Sequence, residues 1–182
     1  TTYEKAGKGP VVLMLHGWGD SHRTFKQLTH DLKKKYTVVS LDLPGFGQSE
    51  IPHEVWTLDS YARFVQKFLE KIEVKPRAVV AHSNGGAVAI RGLSLGALKT
   101  DKLVLLASAG IRDRENLRRF VLKIVAKVGK VLTFWLPQHH KKALQKRLYG
   151  TAGSDMLAVP HLQETFKVTV RQDIQRDAKH LR

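Results

Sequence analysis

Two short stretches of this chain carry residue types that together suit covalent chemistry. The first is Ala78-Val79-Val80-Ala81-His82-Ser83-Asn84-Gly85-Gly86, an apolar run ending in a serine and followed at once by small residues. That pattern predicts a nucleophile elbow, in which a tight strand-to-helix turn lifts a hydroxyl above the end of a sheet. Gly85 fills one small position of the turn and Gly86 follows it. Ala81 fills the other, where a single methyl group is tolerable. The second stretch is the glycine loop His16-Gly17-Trp18-Gly19. Attack by a serine on a carbonyl needs a pair of donors for the oxyanion that develops. The backbone amide of Asn84, directly after Ser83, is one candidate, and the backbone amide of Trp18 is the other. A helix starting at Asn84 would also aim its positive end and free amides at the site. His16 is expected to anchor the glycine loop by a hydrogen bond. His82 is expected to pack beside the strand, away from the Ser83 hydroxyl.

The elements that must position these residues can be traced along the chain. Val11–Leu15 is a continuous apolar run, the mark of a strand buried on both faces. A helix is expected from about Ser21 to Lys34, with Phe25, Leu28 and Leu32 on one face. Thr37–Leu41 reads as the second strand. Thr57 is placed to cap a helix whose buried stripe is Tyr61, Phe64, Val65, Phe68 and Ile72. Ala78–Ala81 is the third strand, Asn84–Leu95 the third helix and Leu103–Ala107 the fourth strand. Alternation of this kind predicts an α/β fold: a predominantly parallel sheet with helices on both faces. Ligands of such sheets lie at the carboxyl ends of the strands. The loops His16–Gly19, Asp42–Gln48 and the turn at Ser83 all fall there.

The rhythm breaks after Gly110. The core is therefore expected over residues 1–111, a helical cap or lid over 112–165, and a return segment over 166–182. Leu117, Phe120, Val121, Ile124, Val125, Val128, Leu132 and Trp135 form a helical stripe. Lys123, Lys127 and Lys130 interrupt it, so it does not read as a membrane span. It reads as a lid over an apolar pocket, with contact to an anionic membrane surface or to a partner helix as alternatives. His139 and His140 are adjacent on a helix and point about 100° apart, so no metal is expected there.

Bulk composition narrows the classes further. At 182 residues the chain is the size of one domain, and it has no cysteine, which excludes disulfides, thiolate metal sites and cysteine nucleophiles. No leader segment is visible at the front, and a cytoplasmic location is expected. The net charge is +15, and residues 111–182 hold 16 Lys/Arg against 6 Asp/Glu. Such a field favours acidic partners. There is no basic-and-aromatic motif for nucleic acid, so none is expected as a partner.

The segments His16–Gly19 (HGWG), Leu41–Ser49 (LDLPGFGQS), Ala81–Gly86 (AHSNGG) and Lys102–Gly110 (KLVLLASAG) resemble the first half of the α/β-hydrolase superfamily. The branch resembled carries a helical cap after the sixth strand of the sheet, and the likeness covers about residues 3–111. It implies a serine hydrolase acting on an ester or related acyl bond, or a carbon–carbon bond, of a mostly apolar small molecule, without cofactor or metal. Serine at the elbow in place of aspartate argues against dehalogenase and epoxide hydrolase activity. The Asp42–Ser49 loop is implied to shape the site without doing chemistry. In the family the acid follows the seventh strand and the histidine the eighth, and neither position is reached by Arg182. The family's first strand is also expected to be missing at the front. Asp113 and His180 are poor substitutes for the triad partners, so this chain is expected to be close to inert. A non-catalytic binding protein of the same fold and a basic lipid- or nucleic-acid-binding protein are the alternatives.

Overall fold

Val11–Leu15 (β2) is apolar at every position because helices cover both faces of the sheet around it. Leu13 and Leu15 point to one face and Val12 and Met14 to the other, and all four are buried. The same alternation holds in Thr37–Leu41 (β3), where Val39 and Leu41 oppose Val38. It holds again in Ala78–His82 (β4), where Val79 and Ala81 oppose Val80.

The structure is a computed structural model that describes residues 1–111 and 158–181. The chain forms two compact units, Thr1–Ile111 with Met156–Arg182, and Arg112–Asp155. All described residues belong to the first. The expected cap helix at 117–136, Asp113, His139 and His140 lie outside the described residues. The core unit resumes at Met156, so residues 158–165, expected in the cap, pack with the core.

Five strands line up in the order β1-β3-β2-β4-β5, where β1 is Tyr3–Ala6 and β5 is Lys102–Leu106. β2, β3, β4 and β5 run parallel, in the registers Leu13↔Val39, Leu13↔Val79 and Val79↔Leu103. β1 is antiparallel to β3 at the edge, pairing Tyr3 with Leu41 and Ala6 with Val38. Sequence reading gave no strand there.

The helix expected at 21–34 is shorter. A 3-10 turn, His22–Phe25, capped by Ser21, precedes α1 at Lys26–Leu32. This helix lies over the face that carries Val12, Met14, Val38 and Val80. On the opposite face α2 (Leu58–Lys71) and α3 (Asn84–Ser94) pack together. Thr57 starts α2 through a reciprocal pair: its hydroxyl accepts from Ser60 N–H, and Ser60 Oγ accepts from Thr57 N–H. α2 buries Leu58, Tyr61, Ala62, Val65, Phe68 and Leu69.

Two further helices, α4 (Gln163–Arg171) and α5 (Gln175–Lys179), close the core unit. Arg91 of α3 joins three elements, bonding Asp59 of α2 at 2.7 Å and Asp177 of α5 at 3.0 Å. Among the described residues no helix is long and apolar enough to cross a membrane.

Candidate active site

The chain leaves β2 toward one edge of the sheet and returns to place β4 on the other side of β2. The loops after these two strands therefore part over one point, and a crevice at the carboxyl end of the sheet belongs there. Residues 16–19 follow β2, and Ser83 follows β4. A Cβ placed on Gly17 would stand 3.2 Å from Ser83 Cβ and 2.8 Å from His82 Nδ1. Loop and turn are in contact, and a side chain at Gly17 would have to displace the His82 ring.

Ser83 has φ 48° and ψ −115°, a left-handed conformation that costs a residue with a side chain about 1–3 kcal/mol. The surroundings hold it there. Its N–H donates to the Leu106 carbonyl at 3.0 Å, and its carbonyl accepts from Gly86, Ala87 and Ala109 N–H at 3.0, 3.3 and 2.9 Å. The turn is thus tied forward into α3 and sideways to β5 and the loop after it. Ser83 itself is half-buried at the head of α3.

The small residues around the turn are set by close approach. A Cβ on Gly85 would lie 2.3 Å from the Leu15 carbonyl oxygen and 2.6 Å from that of His16. Gly86 lies against Ser108, whose Oγ would be 2.4 Å away, although that is a side chain and has room to turn. Gly19 has φ +74°, with Ala158 and Val159 beside it. The main-chain N–H groups of Trp18 and Asn84 make no hydrogen bond among the described residues. Both stand where a first helical turn or an open loop leaves donors free.

His16 is fully buried and bridges two loops. Its Nδ1–H donates to the Gly17 carbonyl at 2.8 Å, which leaves Nε2 to accept from Leu43 N–H at 3.0 Å. Burial lowers its pKa, and the Gly17 carbonyl and the charges of Asp42 and Asp20 only partly offset this. The ring therefore stays neutral, as its acceptor role requires.

Asp42, next to Leu43, is buried and is held both by the turn before α1 and by its own loop. It accepts from His22 N–H at 2.7 Å, His22 Nδ1 at 2.7 Å and Gln48 N–H at 2.9 Å. Burial alone would raise its pKa; the N–H groups of Gln48 and His22 outweigh burial and hold the carboxylate below its usual range. Among the described residues none of these bonds involves Ser83.

Among the described residues no histidine or carboxylate bonds the Ser83 hydroxyl. His82 lies with its ring against Gly17, and His180 is exposed after α5. No cluster of three or more His, Asp or Glu capable of holding a metal occurs among the described residues.

Sequence reading missed the part taken by residues 158–166. Val159 and Leu162 are buried, Leu162 lies on Gly45, and the His161 ring bonds the Gly45 carbonyl at 2.8 Å. Phe166 meets Trp18 edge-on at 5.0 Å, and Phe46 meets it from another side at 4.9 Å. This segment clamps both loops of the site. The only sequence signal was the apolar spacing of Val159, Leu162 and Phe166.

A model of the alpha/beta hydrolase fold matches residues 10–177. The uncharacterized hydrolase YugF of Bacillus subtilis (strain 168) is 33% identical over 115 residues, which is 63% of this chain and 42% of that protein. A 2-hydroxy-6-oxo-6-(2'-aminophenyl)hexa-2,4-dienoic acid hydrolase of Metapseudomonas resinovorans is 30% identical over 127 residues, 66% of this chain and 44% of that one. The chain thus spans less than half the length of these curated relatives. An esterase from Exiguobacterium antarcticum has a similar fold, with TM-score 0.64, 17% identity, and coverage of 96% of this chain and 71% of that one.

Proposed function

The chain belongs to the alpha/beta hydrolase fold family, and on that premise we propose that Ser83 is the nucleophile of a serine hydrolase acting on an ester or related acyl bond, a carbon–carbon bond beside a carbonyl included. One observation carries the reading: a strained serine at the head of a helix lies in contact with the glycine loop of the neighbouring parallel strand. In this mechanism Ser83 Oγ attacks the substrate carbonyl, and the oxyanion that forms is received by the main-chain N–H groups of Trp18 and Asn84. The hydroxyl proton needs a base, and none bonds Ser83 among the described residues. Turnover at full rate therefore depends on a histidine and an acid from elsewhere. Serine hydrolases stripped of triad members keep only about 10³–10⁴-fold catalysis over water, so the described residues alone leave a slow enzyme.

The test is covalent labelling. After prolonged exposure to a fluorophosphonate, peptide mass spectrometry is expected to find the phosphonyl group on Ser83, and Ser83→Ala is expected to lose it. A different labelled serine, or no adduct in a protein that also supplies the histidine and the acid, overturns the nucleophile assignment. Among the described residues no base bonds Ser83, which is compatible with a second reading, a binding protein that holds an acyl compound without cleaving it. A protein that binds such a compound equally well as Ser83→Ala and forms no adduct would be of that kind.

A further inference from the structure

The parallel strands all begin at one end of the sheet, and the loops that feed them are joined side by side. The registers Val11↔Thr37, Val12↔Ala78 and Ala78↔Lys102 bring the four strand starts level to within one residue. Loop 7–10 touches loop 33–36: a Cβ on Gly7 would stand 2.2 Å from the Tyr36 carbonyl oxygen, and Thr37 N–H donates to the Pro10 carbonyl at 3.1 Å. Loop 72–77 comes next, with Arg77 N–H on the Val11 carbonyl at 2.8 Å. Residues 96–102 complete the row, where Asp101 N–H donates to the Arg77 carbonyl at 3.1 Å. Together they form a level face at the pole opposite Ser83.

Charge is segregated onto this face. It gathers Lys8, the run Lys33–Lys35, Lys75 with Arg77, and Lys99 with Lys102, against the carboxylates of Glu73 and Asp101 alone. All of these cations are exposed, and among the described residues only Arg77 has an ion pair, with Asp101 at 3.5 Å. The loops 16–25 and 42–57 at the other pole reverse the balance, holding Asp20, Asp42, Glu50 and Glu54 against Arg23. Helix dipoles explain part of the pattern, because α1, α2 and α3 all end at the basic pole and favour positive charge in their last turns. Lys8, Lys75, Arg77, Lys99 and Lys102 lie outside those turns, and the dipoles do not account for them.

The make-up of the face selects its partner. All its cations but Arg77 are lysines, point charges without the planar fork by which arginine grips individual phosphates and bases. Tyr36 follows Lys35 and is 37% exposed, and Leu95, at the end of α3 four residues before Lys99, is 40% exposed. A tyrosine and a leucine set between lysines suit the headgroup level of a bilayer, where one end of the ring is apolar and the other wet. A level face also meets a flat partner over its whole width, which the curved surface of a duplex does not allow.

We propose that this amino-end face docks the chain on an anionic lipid bilayer, through its lysines and shallow insertion of Tyr36 and Leu95. The contact is distinct from the one weighed for the stripe at 117–136. Five-residue strands set the two poles roughly 16 Å apart, so a docked chain turns the Ser83 crevice toward water. Nothing in this depends on Ser83 being a nucleophile.

The chain has no cysteine, so a single introduced one carries a unique label. Leu95→Cys reports on the basic face, and Val55→Cys, at a position 50% exposed, reports on the other pole. Each is coupled to a nitrobenzoxadiazole dye and mixed at physiological salt with phosphatidylcholine vesicles, with or without phosphatidylserine as about a third of the lipid. Emission at residue 95 is expected to shift to the blue and to be quenched by spin-labelled lipid with the anionic vesicles alone, while residue 55 stays unchanged. Each lysine near such a surface is worth roughly fivefold in affinity, so Lys33→Gln with Lys35→Gln and Lys99→Gln should bind on the order of a hundredfold more weakly. Circular dichroism checks that this variant keeps its fold. The control, Lys123→Gln with Lys127→Gln and Lys130→Gln, leaves the face intact and is expected to keep the shift at residue 95. No binding to the anionic vesicles, equal binding to the neutral ones, entry of residue 55 in place of 95, or loss of binding in the control variant alone overturns the proposal. So does duplex DNA that displaces the native chain from the vesicles at the same salt, since nucleic acid would then be the preferred partner.

Discussion

Gly85 lies so close to Leu15 that a Cβ on it would stand 2.3 Å from the Leu15 carbonyl oxygen. The contact joins the first turn of α3 to the end of β2, and it is what lets the Ser83 turn meet the glycine loop. Backbone cannot step aside as a side chain can. Gly85→Ala is therefore expected to cost about 1–3 kcal/mol or more, read as a lower urea midpoint at an unchanged slope. Gly96→Ala is the control for a left-handed glycine: it has φ +67° but open space around its Cβ, so its penalty is strain alone, about 1–2 kcal/mol. If Gly85→Ala proved as stable as the native protein, the close approach that assembles the site would be wrong.

A pH dependence follows from His16. An unfolded chain takes up a proton at this position near 6.5, whereas the folded protein holds the ring neutral to lower pH. The unfolded state then binds more protons, so stability is full above about pH 6.5 and falls as the pH drops, by at most ~1.4 kcal/mol per unit for this one group. The loss is structural as well as electrostatic, since a proton on Nε2 takes away the acceptor of Leu43 N–H. His16→Gln does not titrate. Its unfolding free energy, measured by urea from pH 8 to pH 5, should lack the share of the decline that His16 supplies, so the gap between the two proteins narrows on acidification. A gap that stays constant would mean that His16 is not held neutral.

Most of the sheet was legible in the sequence because its strands are buried on both faces. Val11–Leu15 is a solid apolar run, Thr37–Leu41 is rich in β-branched residues, and the structure gives both those bounds. Thr57 announced the start of α2 through its capping side chain. β1 escaped because Tyr3–Ala6 is short, largely exposed and half polar, and it is a strand only by pairing with β3. The segment 158–166 escaped for a related reason: its place on Gly19, Gly45 and Trp18 is fixed by contacts more than a hundred residues distant in sequence, which local periodicity does not record. At the site, glycine spacing pointed to Gly17, which lies against the side chains of His82 and Ser83, and to Gly85, whose close approach is set by backbone. The unpaired N–H groups of Trp18 and Asn84 had no sequence signature at all.

β5 leads to the last prediction. Its residues Leu103-Val104-Leu105-Leu106 form an apolar run of the kind buried on both faces in β2. β5 nevertheless stands at the end of the sheet order, with β4 on one side. Val104 is 46% exposed, Leu105 38% and Leu106 40%, and since successive side chains point to opposite faces, both faces are open. An edge of this kind offers unpaired main-chain donors and acceptors beside apolar side chains, which favours pairing with another strand. The 182-residue chain is therefore expected to self-associate reversibly, its weight-average mass in sedimentation equilibrium rising with concentration. Val104→Lys with Leu106→Glu places two charged groups on this edge strand, and the double variant should remain near the 20.5 kDa monomer over the same range. Circular dichroism checks that it keeps its fold. A native chain that stays monomeric, or a double variant that associates as strongly, would show that the β5 edge is not the adhesive surface.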